Sequence, residues 1–337
     1  MAALENAAAT TTVAVDLMGG DRGPEEVVKG AQQAAAEGVS VLLVGDPELV
    51  GDTGGLELVP AHQVVDMHDD PALAVRQKRD SSLVRAMEAV RDGRAGAVVS
   101  AGNTGAAMAS AILKLGRVRG IVRPAIATLI PVPGSTPTVL LDAGANPDPQ
   151  PEWLVQFAQM GSVLSRQRLG IEKPRVGLLS NGEEETKGTA LVKAAHALLA
   201  EGSAGDSVNF VGNVEGSDIM SARVDVVVTD GFTGNVALKC MEGVLRVAFR
   251  EVLAAFDAND ETRAALNVML PALAPLAATL DADTYGGAVL LGVKGVCVIS
   301  HGSSSAKAIY NAVKVAHAAV RGGLVGQLQE AIDSGSR

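Results

Sequence analysis

The chain has 337 residues, 47% of them apolar and 20% charged, with 28 basic against 38 acidic side chains and a formal net charge of −10. The apolar content supports a buried core and excludes a disordered or collagen-like chain. The negative charge, with aromatics limited to five Phe, two Tyr and one Trp, excludes a general nucleic-acid binder.

Residues 1–12 are small and polar, include Glu5 and lack the apolar stretch of a signal peptide, so they read as a disordered tail. Nine apolar runs follow, at 13–15, 41–44, 97–99, 125–130, 138–141, 176–179, 208–211, 226–228 and 296–299. They are apolar on successive residues, which predicts strands buried on both faces in a parallel sheet. Helical patterns lie between them at 24–37, 82–91, 151–167, 188–201, 241–256 and 304–320. The first opens on Pro24, Glu25 and Glu26 and stops at Gly38. This alternation predicts a single doubly wound α/β catalytic domain over 13–320, with a mostly parallel sheet, helices on both faces and a C-terminal tail at 321–337. The stretch 264–280 is apolar but slightly short for a membrane span and interrupted by Pro271 and Pro275. It is expected to form a non-spanning apolar helical hairpin within about 257–283. Cys240 and Cys297 form no C-x-x-C pair, so a disulfide scaffold or zinc site is not expected and a reducing cytoplasm is.

Seven of the strands run into loops of Gly, Asn, Ser or Asp: D-L-M-G-G-D (16–21), S-A-G-N-T-G (100–105), D-A-G-A-N (142–146), S-N-G-E-E-E-T-K-G (180–188), G-N-V-E-G (212–216), T-D-G-F-T-G-N (229–235) and S-H-G-S-S-S (300–305). In open α/β sheets such strand-end loops expose backbone N–H groups and lead into helix N-termini, which favours an anionic ligand. The candidates are Gly19, Gly20, Asp21, Ser100, Gly102, Asn103, Thr104, Gly105, Gly234, Ser300, Gly302, Ser303 and Ser304, expected at one broad site. None of the loops has a nucleotide-binding spacing. Residues 93–141 hold no Asp or Glu but carry Arg94, Lys114, Arg117, Arg119 and Arg123, a basic stretch suited to a phosphate or an acidic protein partner. Asp16, Asp142 and Asp230 each end a strand and are expected to brace the loops.

These loops, with P-E-E-V-V-K-G (24–30), D-S-S-L (80–83), R-P-A-I-A-T (123–128), Y-G-G-A (285–288) and L-L-G-V-K-G (290–295), closely resemble the PlsX family of phosphate acyltransferases, in collinear order from about 13 to 320. The resemblance implies acyl transfer from acyl-[acyl-carrier protein] to inorganic phosphate, giving an acyl phosphate for the membrane glycerol-3-phosphate acyltransferase of phospholipid synthesis. It also implies a homodimer, a fold akin to phosphotransacetylase and the isopropylmalate dehydrogenase group, peripheral membrane association, and no metal or nucleotide cofactor. The acidic carrier protein would dock on the basic 93–141 stretch or on Arg76, Lys78 and Arg79.

Lys187, Asn235 and His301 are the expected catalytic residues. Lys187 stands just before a helix start, where a cation is unfavourable unless an anion lies between. It could alternatively pair with Glu183, Glu184 or Glu185. Asn235 offers an amide donor or caps a helix, and His301 manages a phosphate proton or merely stabilises its turn. Adjacent Glu side chains diverge, so 183–185 is not expected to hold a metal. The 264–280 hairpin, lacking Lys and Arg, touches either a membrane or the dimer partner.

Overall fold

The computed structural model describes residues 10–335 and builds them around one eleven-stranded sheet. The strands are β1 (Val13–Asp16), β2 (Val41–Gly45), β3 (Glu57–Pro60), β4 (Ala97–Ser100), β5 (Ala125–Ile130), β6 (Thr138–Leu141), β7 (Arg175–Leu179), β8 (Asn209–Val214), β9 (Val226–Val228), β10 (Ala288–Leu291) and β11 (Val296–Ile299). Their spatial order is β3-β2-β1-β4-β11-β10-β5-β6-β9-β7-β8. All nine expected strands form, and β3 and β10 are additional. Continuous apolarity is explained by burial on both faces: Val13 and Val15 enter one core and Ala14 the other.

The helices are α1 (Gly23–Ala36), α2 (Pro71–Gln77), α3 (Ser82–Arg91), α4 (Thr104–Lys114), α5 (Pro151–Leu169), α6 (Ala190–Ala200), α7 (Gly231–Phe256), α8 (Asp260–Leu280), α9 (Ala306–Arg321) and α10 (Leu324–Gly335). α1, α5, α6, α9 and α10 cover one face, and α2, α3, α4 and part of α7 the other. Local chemistry sets their ends. Ser81 and Asn103 accept from Val84 N and Ala106 N to cap α3 and α4, and Gly170, at φ 70°, closes α5.

The sheet reverses direction at its centre. β10 is antiparallel to both β11 and β5, and β5 is antiparallel to β6, while the strands to either side pair in parallel. The two halves therefore run in opposite directions. Their carboxyl ends nevertheless meet: Ile299 pairs with Ala288 at one side of the junction, and Leu141 pairs with Ala127, which faces the next residue, Val289. The strand-end loops after β11 and β6 therefore approach β10 and β5 from opposite directions.

Three expectations are corrected. Residues 1–9 of the N-terminal tail lie outside the described residues, but Thr12 O already accepts from Gly96 N at 2.8 Å. The 321–337 tail is in large part α10, whose Leu324, Leu328, Ala331 and Ile332 are buried at helical spacing against α5. The 264–280 stretch is not itself a hairpin: α8 is one helix running through Pro271 and Pro275, and the hairpin is α7 with α8. Exposure makes the prolines tolerable, because water can satisfy the carbonyls that lose a partner.

Candidate active site

A cavity of about 810 Å³ lies over the sheet junction. Ile126, Thr128 and Ala288 of β5 and β10 line it together with Thr104, Gly105 and Met108 of α4 and the 300–304 loop. From α7 come Asn235, Leu238, Glu242, Leu245, Arg246 and Phe249, a stripe at three- and four-residue spacing. Ala277 and Leu280 of α8 complete the apolar part. The lining thus combines apolar side chains with a polar group of Thr104, Thr128, Asn235, Ser300, His301, Ser303 and Ser304, and Lys239, Glu242, Arg246, Asp281 and Asp283 add charge to it.

Of the expected site residues, Thr104, Gly105, Asn235, Ser300, His301, Ser303 and Ser304 line this cavity. The others in the first-half loops build its support. A Cβ on Gly19 would sit 2.6 Å from Gly102 Cα, so both glycines are required by backbone contact, and Gly20 lies against Gly302 O. Asp21 N donates to Gly302 O at 2.8 Å, tying the first loop to the last. Ser100 Oγ donates to the buried Asp16 at 2.7 Å and accepts from Gly102 N at 3.2 Å. Asn103, besides capping α4, donates to Met67 O at 3.0 Å.

Asp142 gathers five donors: Ile126 N, Gly144 N, Ala145 N, Asn146 N and Asn146 Nδ2, at 2.7–3.1 Å. Burial pushes the carboxyls of Asp16 and Asp142 up, and these hydrogen bonds only partly offset it. Both aspartates hold loops, as does Asp230, which accepts from Thr233 N at 2.8 Å as the N-cap of α7. Asn235 is therefore not a cap. It sits in the second turn of α7 and donates Nδ2 to Ala143 O at 3.2 Å, its second amide hydrogen having no partner among the described residues. Gly234 packs against Asp142 O with no room for a Cβ.

His301 Nδ1 lies 2.8 Å from Ser303 Oγ and accepts from Ser303 N at 3.3 Å. A backbone N–H can only donate, so the neutral ring carries its proton on Nε2. The Ser300 hydroxyl is buried without a partner among the described residues.

Lys187 does not line the cavity. It lies on the exposed loop after β7, two strands from β6 but level with it, since Leu178 and Leu141 both pair with Val228. Its ammonium makes no ion pair or hydrogen bond among the described residues, and Glu183 pairs instead with Arg223 at 2.7 Å. Most of the expected basic dock is engaged. Lys78 binds Asp69 at 2.6 Å, Lys114 binds Glu88 at 2.8 Å, Arg117 donates to Val122 O, and Arg123 stacks on Trp153 at 5.1 Å. Arg119 holds Gln329 through its backbone. Arg76 and Arg79 are exposed on and just after α2, with Arg79 Nε donating to Arg76 O at 3.3 Å, and Pro71 of that helix packs against Gly105 at the cavity.

Sequence reasoning missed the α7 stripe and Thr128. The signal for the stripe was present as the spacing of 235, 238, 242, 245 and 249, but that segment is apolar on several sides.

The fold is that of the phosphotransacetylases. The EutD phosphotransacetylase from Staphylococcus aureus matches 92% of this chain and 94% of its own with a TM-score of 0.60 at 15% identity. A phosphotransacetylase from Streptococcus pyogenes matches the same shares at 0.63 and 16%. In sequence, the model of the fatty acid synthesis protein family matches residues 11–326. The phosphate acyltransferase of Pelotomaculum thermopropionicum is 47% identical over 330 residues, covering 96% of this chain and 95% of that protein. That of a Nostoc species is 43% identical over 326 residues, at 94% and 95%. The chain belongs to this family of acyltransferases.

Proposed function

We propose that the chain transfers a fatty acyl group from acyl-[acyl-carrier protein] to inorganic phosphate by direct attack of phosphate on the thioester. The observation that carries this reading is the cavity, which joins apolar side chains of α7 and α8 to a cluster of short polar donors. At 810 Å³ it lies within the roughly 300–1,000 Å³ of small-molecule sites. A phosphate oxygen forms the new C–O bond, the C–S bond breaks, and the proton of HPO₄²⁻ ends on the carrier sulfur. Phosphate is already an anionic nucleophile, so the protein chiefly positions reactants, worth about 7–11 kcal/mol, and binds the oxyanion, about 3–4 kcal/mol per donor. In this reading the second Asn235 amide hydrogen donates to the oxyanion, His301 Nε2 donates to phosphate, and Lys187 supplies positive charge. The unpaired ammonium of Lys187 supports that role, since the alternative pairing with its glutamates is absent among the described residues.

Neither cysteine suits a covalent route. Burial pushes the Cys297 thiol up to about 12, and Cys240 is exposed on α7 and does not line the cavity. One observation favours a second reading: the Ser303 hydroxyl within hydrogen-bond reach of His301 is the arrangement of a nucleophile and its base. Mixing protein with acyl-[acyl-carrier protein], with and without phosphate, and trapping acyl phosphate with hydroxylamine separates the two. Thiol release that requires phosphate supports direct attack. A stoichiometric burst without phosphate, abolished by Ser303→Ala, supports an acyl-serine. No release with either overturns the enzyme reading in favour of a carrier-protein dock.

The carrier protein docks, in this reading, around Arg76 and Arg79, beside exposed Leu73 and close to the α4 N-terminus. The acyl phosphate passes to the membrane glycerol-3-phosphate acyltransferase. Homodimer formation and contact with a membrane surface draw on the apolar exterior of α7 and α8, where Phe232, Val244 and Val268 are 66%, 67% and 80% exposed.

A further inference from the structure

The loop carrying Lys187 is exposed, yet its backbone is fixed from several directions. Gly188 N donates to Asn181 Oδ1 at 2.8 Å, Lys187 N donates to Glu184 O at 2.9 Å, and Arg223 holds Glu183. Gly182 makes room for the lysine stem, because a Cβ there would lie 2.7 Å from Lys187 Cγ. One more restraint comes from beyond the loop. Asn213 on β8, only 5% exposed, donates Nδ2 to Glu184 O at 2.8 Å, and its Oδ1 lies 3.0 Å from His196 Nδ1 on α6.

The direction of this chain of bonds is determined by chemistry. Glu184 O can only accept, so the amide nitrogen of Asn213 faces the loop and its oxygen faces His196, which must carry a proton on Nδ1. The His196 ring is itself seated edge-on against Phe210, with centroids 5.2 Å apart. The carbonyl at the end of the chain is the same one that receives Lys187 N–H. A buried asparagine with both amide atoms committed is costly to leave half-satisfied, so the pair resists any loop movement that releases Glu184 O.

We propose that His196 and Asn213 are positioning residues that hold Glu184 O and thereby set Lys187; this rests on the reading of Lys187 as the cation of the site. Three measurements on the full-length protein test it: turnover of acyl-[acyl-carrier protein] with phosphate, amide hydrogen exchange across 183–188, and double-mutant coupling. Asn213→Ala is expected to speed exchange at Lys187 N–H and to lower kcat/KM, by up to about 100-fold if the misplacement reaches 1 Å. In a Lys187→Ala background it should cause no further loss. His196→Ala should weaken turnover in the same manner and His196→Asn, which keeps a donor near the Nδ1 position, should restore it; this pair also carries the test should Asn213→Ala not fold.

An Asn213→Ala loss of equal size in both backgrounds overturns the relay, because Asn213 would then act independently of Lys187. Unchanged turnover in Asn213→Ala alongside an inactive Lys187→Ala overturns the relay alone. Full activity in Lys187→Ala overturns the reading of Lys187 and the relay with it.

Discussion

Gly234 and Gly243 lie on the same helix and should respond in opposite ways to one added methyl group. A Cβ on Gly234 would run into Asp142 O, a backbone atom that cannot move aside cheaply, whereas Gly243 has open space. Gly234→Ala is therefore expected to destabilise by about 1–3 kcal/mol in urea unfolding and to lower turnover by lifting Asn235 from Ala143 O. Gly243→Ala should instead stabilise α7 by about 1 kcal/mol through helix propensity and leave turnover intact. Asp225 offers a test in pH. Burial pushes its carboxyl up, but the Arg175 bonds at 2.7, 2.9 and 3.0 Å outweigh this and hold it below the ordinary value. A depressed carboxyl stabilises the fold above its unfolded pKa and loses that contribution as pH falls through the folded value. Asp225→Asn should thus cost about 1.5–3 kcal/mol at pH 7, and the gap to the parent should shrink as pH drops below the usual carboxylate range. Such residues were unequally legible. The types at the strand ends announced Asp16, His301 and Asn235, but the glycines at 231 and 234 masked the start of α7, since their reason is contact with Asn146 and Asp142 across the fold. Nor does any local pattern link Asn213 with Glu184, 29 residues away.

Among the elements, α7 shows why a legible pattern can still leave the site unread. It is apolar inward, through Leu238, Leu245 and Phe249, and also outward, through Phe232, Val236, Val244 and Val247. Periodicity alone cannot say which stripe meets a cavity. Once the fold assigns the faces, the stripe becomes a ruler: Asn235 marks the polar group and Phe249 lies about four turns further along. Leu245→Trp is expected to fill the cavity between them and shift preference toward short acyl chains, raising kcat/KM for short relative to long acyl carriers while Asn235 chemistry persists. Equal loss for all chain lengths would place the acyl group elsewhere. β3 and β10 escaped the apolar-run reading for simpler reasons. β3 is an edge strand with Glu57 and Pro60 exposed, and β10 is four residues set between Gly287 and Gly292.

For the whole molecule, the sequence announces an α/β chain whose strand-end loops share one broad site, but not the direction in which each strand runs. Strand direction is a property of pairing between distant segments, such as β10 with β5, and runs of Val and Leu do not encode it. The reversal at β10, β5 and β6 brings loops from both halves over one cavity, which the α7–α8 hairpin also lines. α8 has 21 residues, is long and apolar enough by length and composition to cross a membrane, and has no buried residue. The apolar exterior of this hairpin has two candidate partners, and position separates them: the N-terminal half of α7, with Phe232 and Val236, packs beside the sheet, whereas Val268, Met269 and Leu270 lie on exposed α8. We therefore expect Val268→Asp with Leu270→Asp to abolish co-flotation with liposomes while leaving sedimentation mass and turnover of soluble substrate unchanged. Phe232→Asp with Val236→Asp should halve the sedimentation mass and spare flotation. Since 264–280 carries no Lys or Arg, flotation should depend little on anionic lipid or salt, unlike a helix held by charge. Loss of the dimer on charging α8, with flotation intact, would exchange the two assignments.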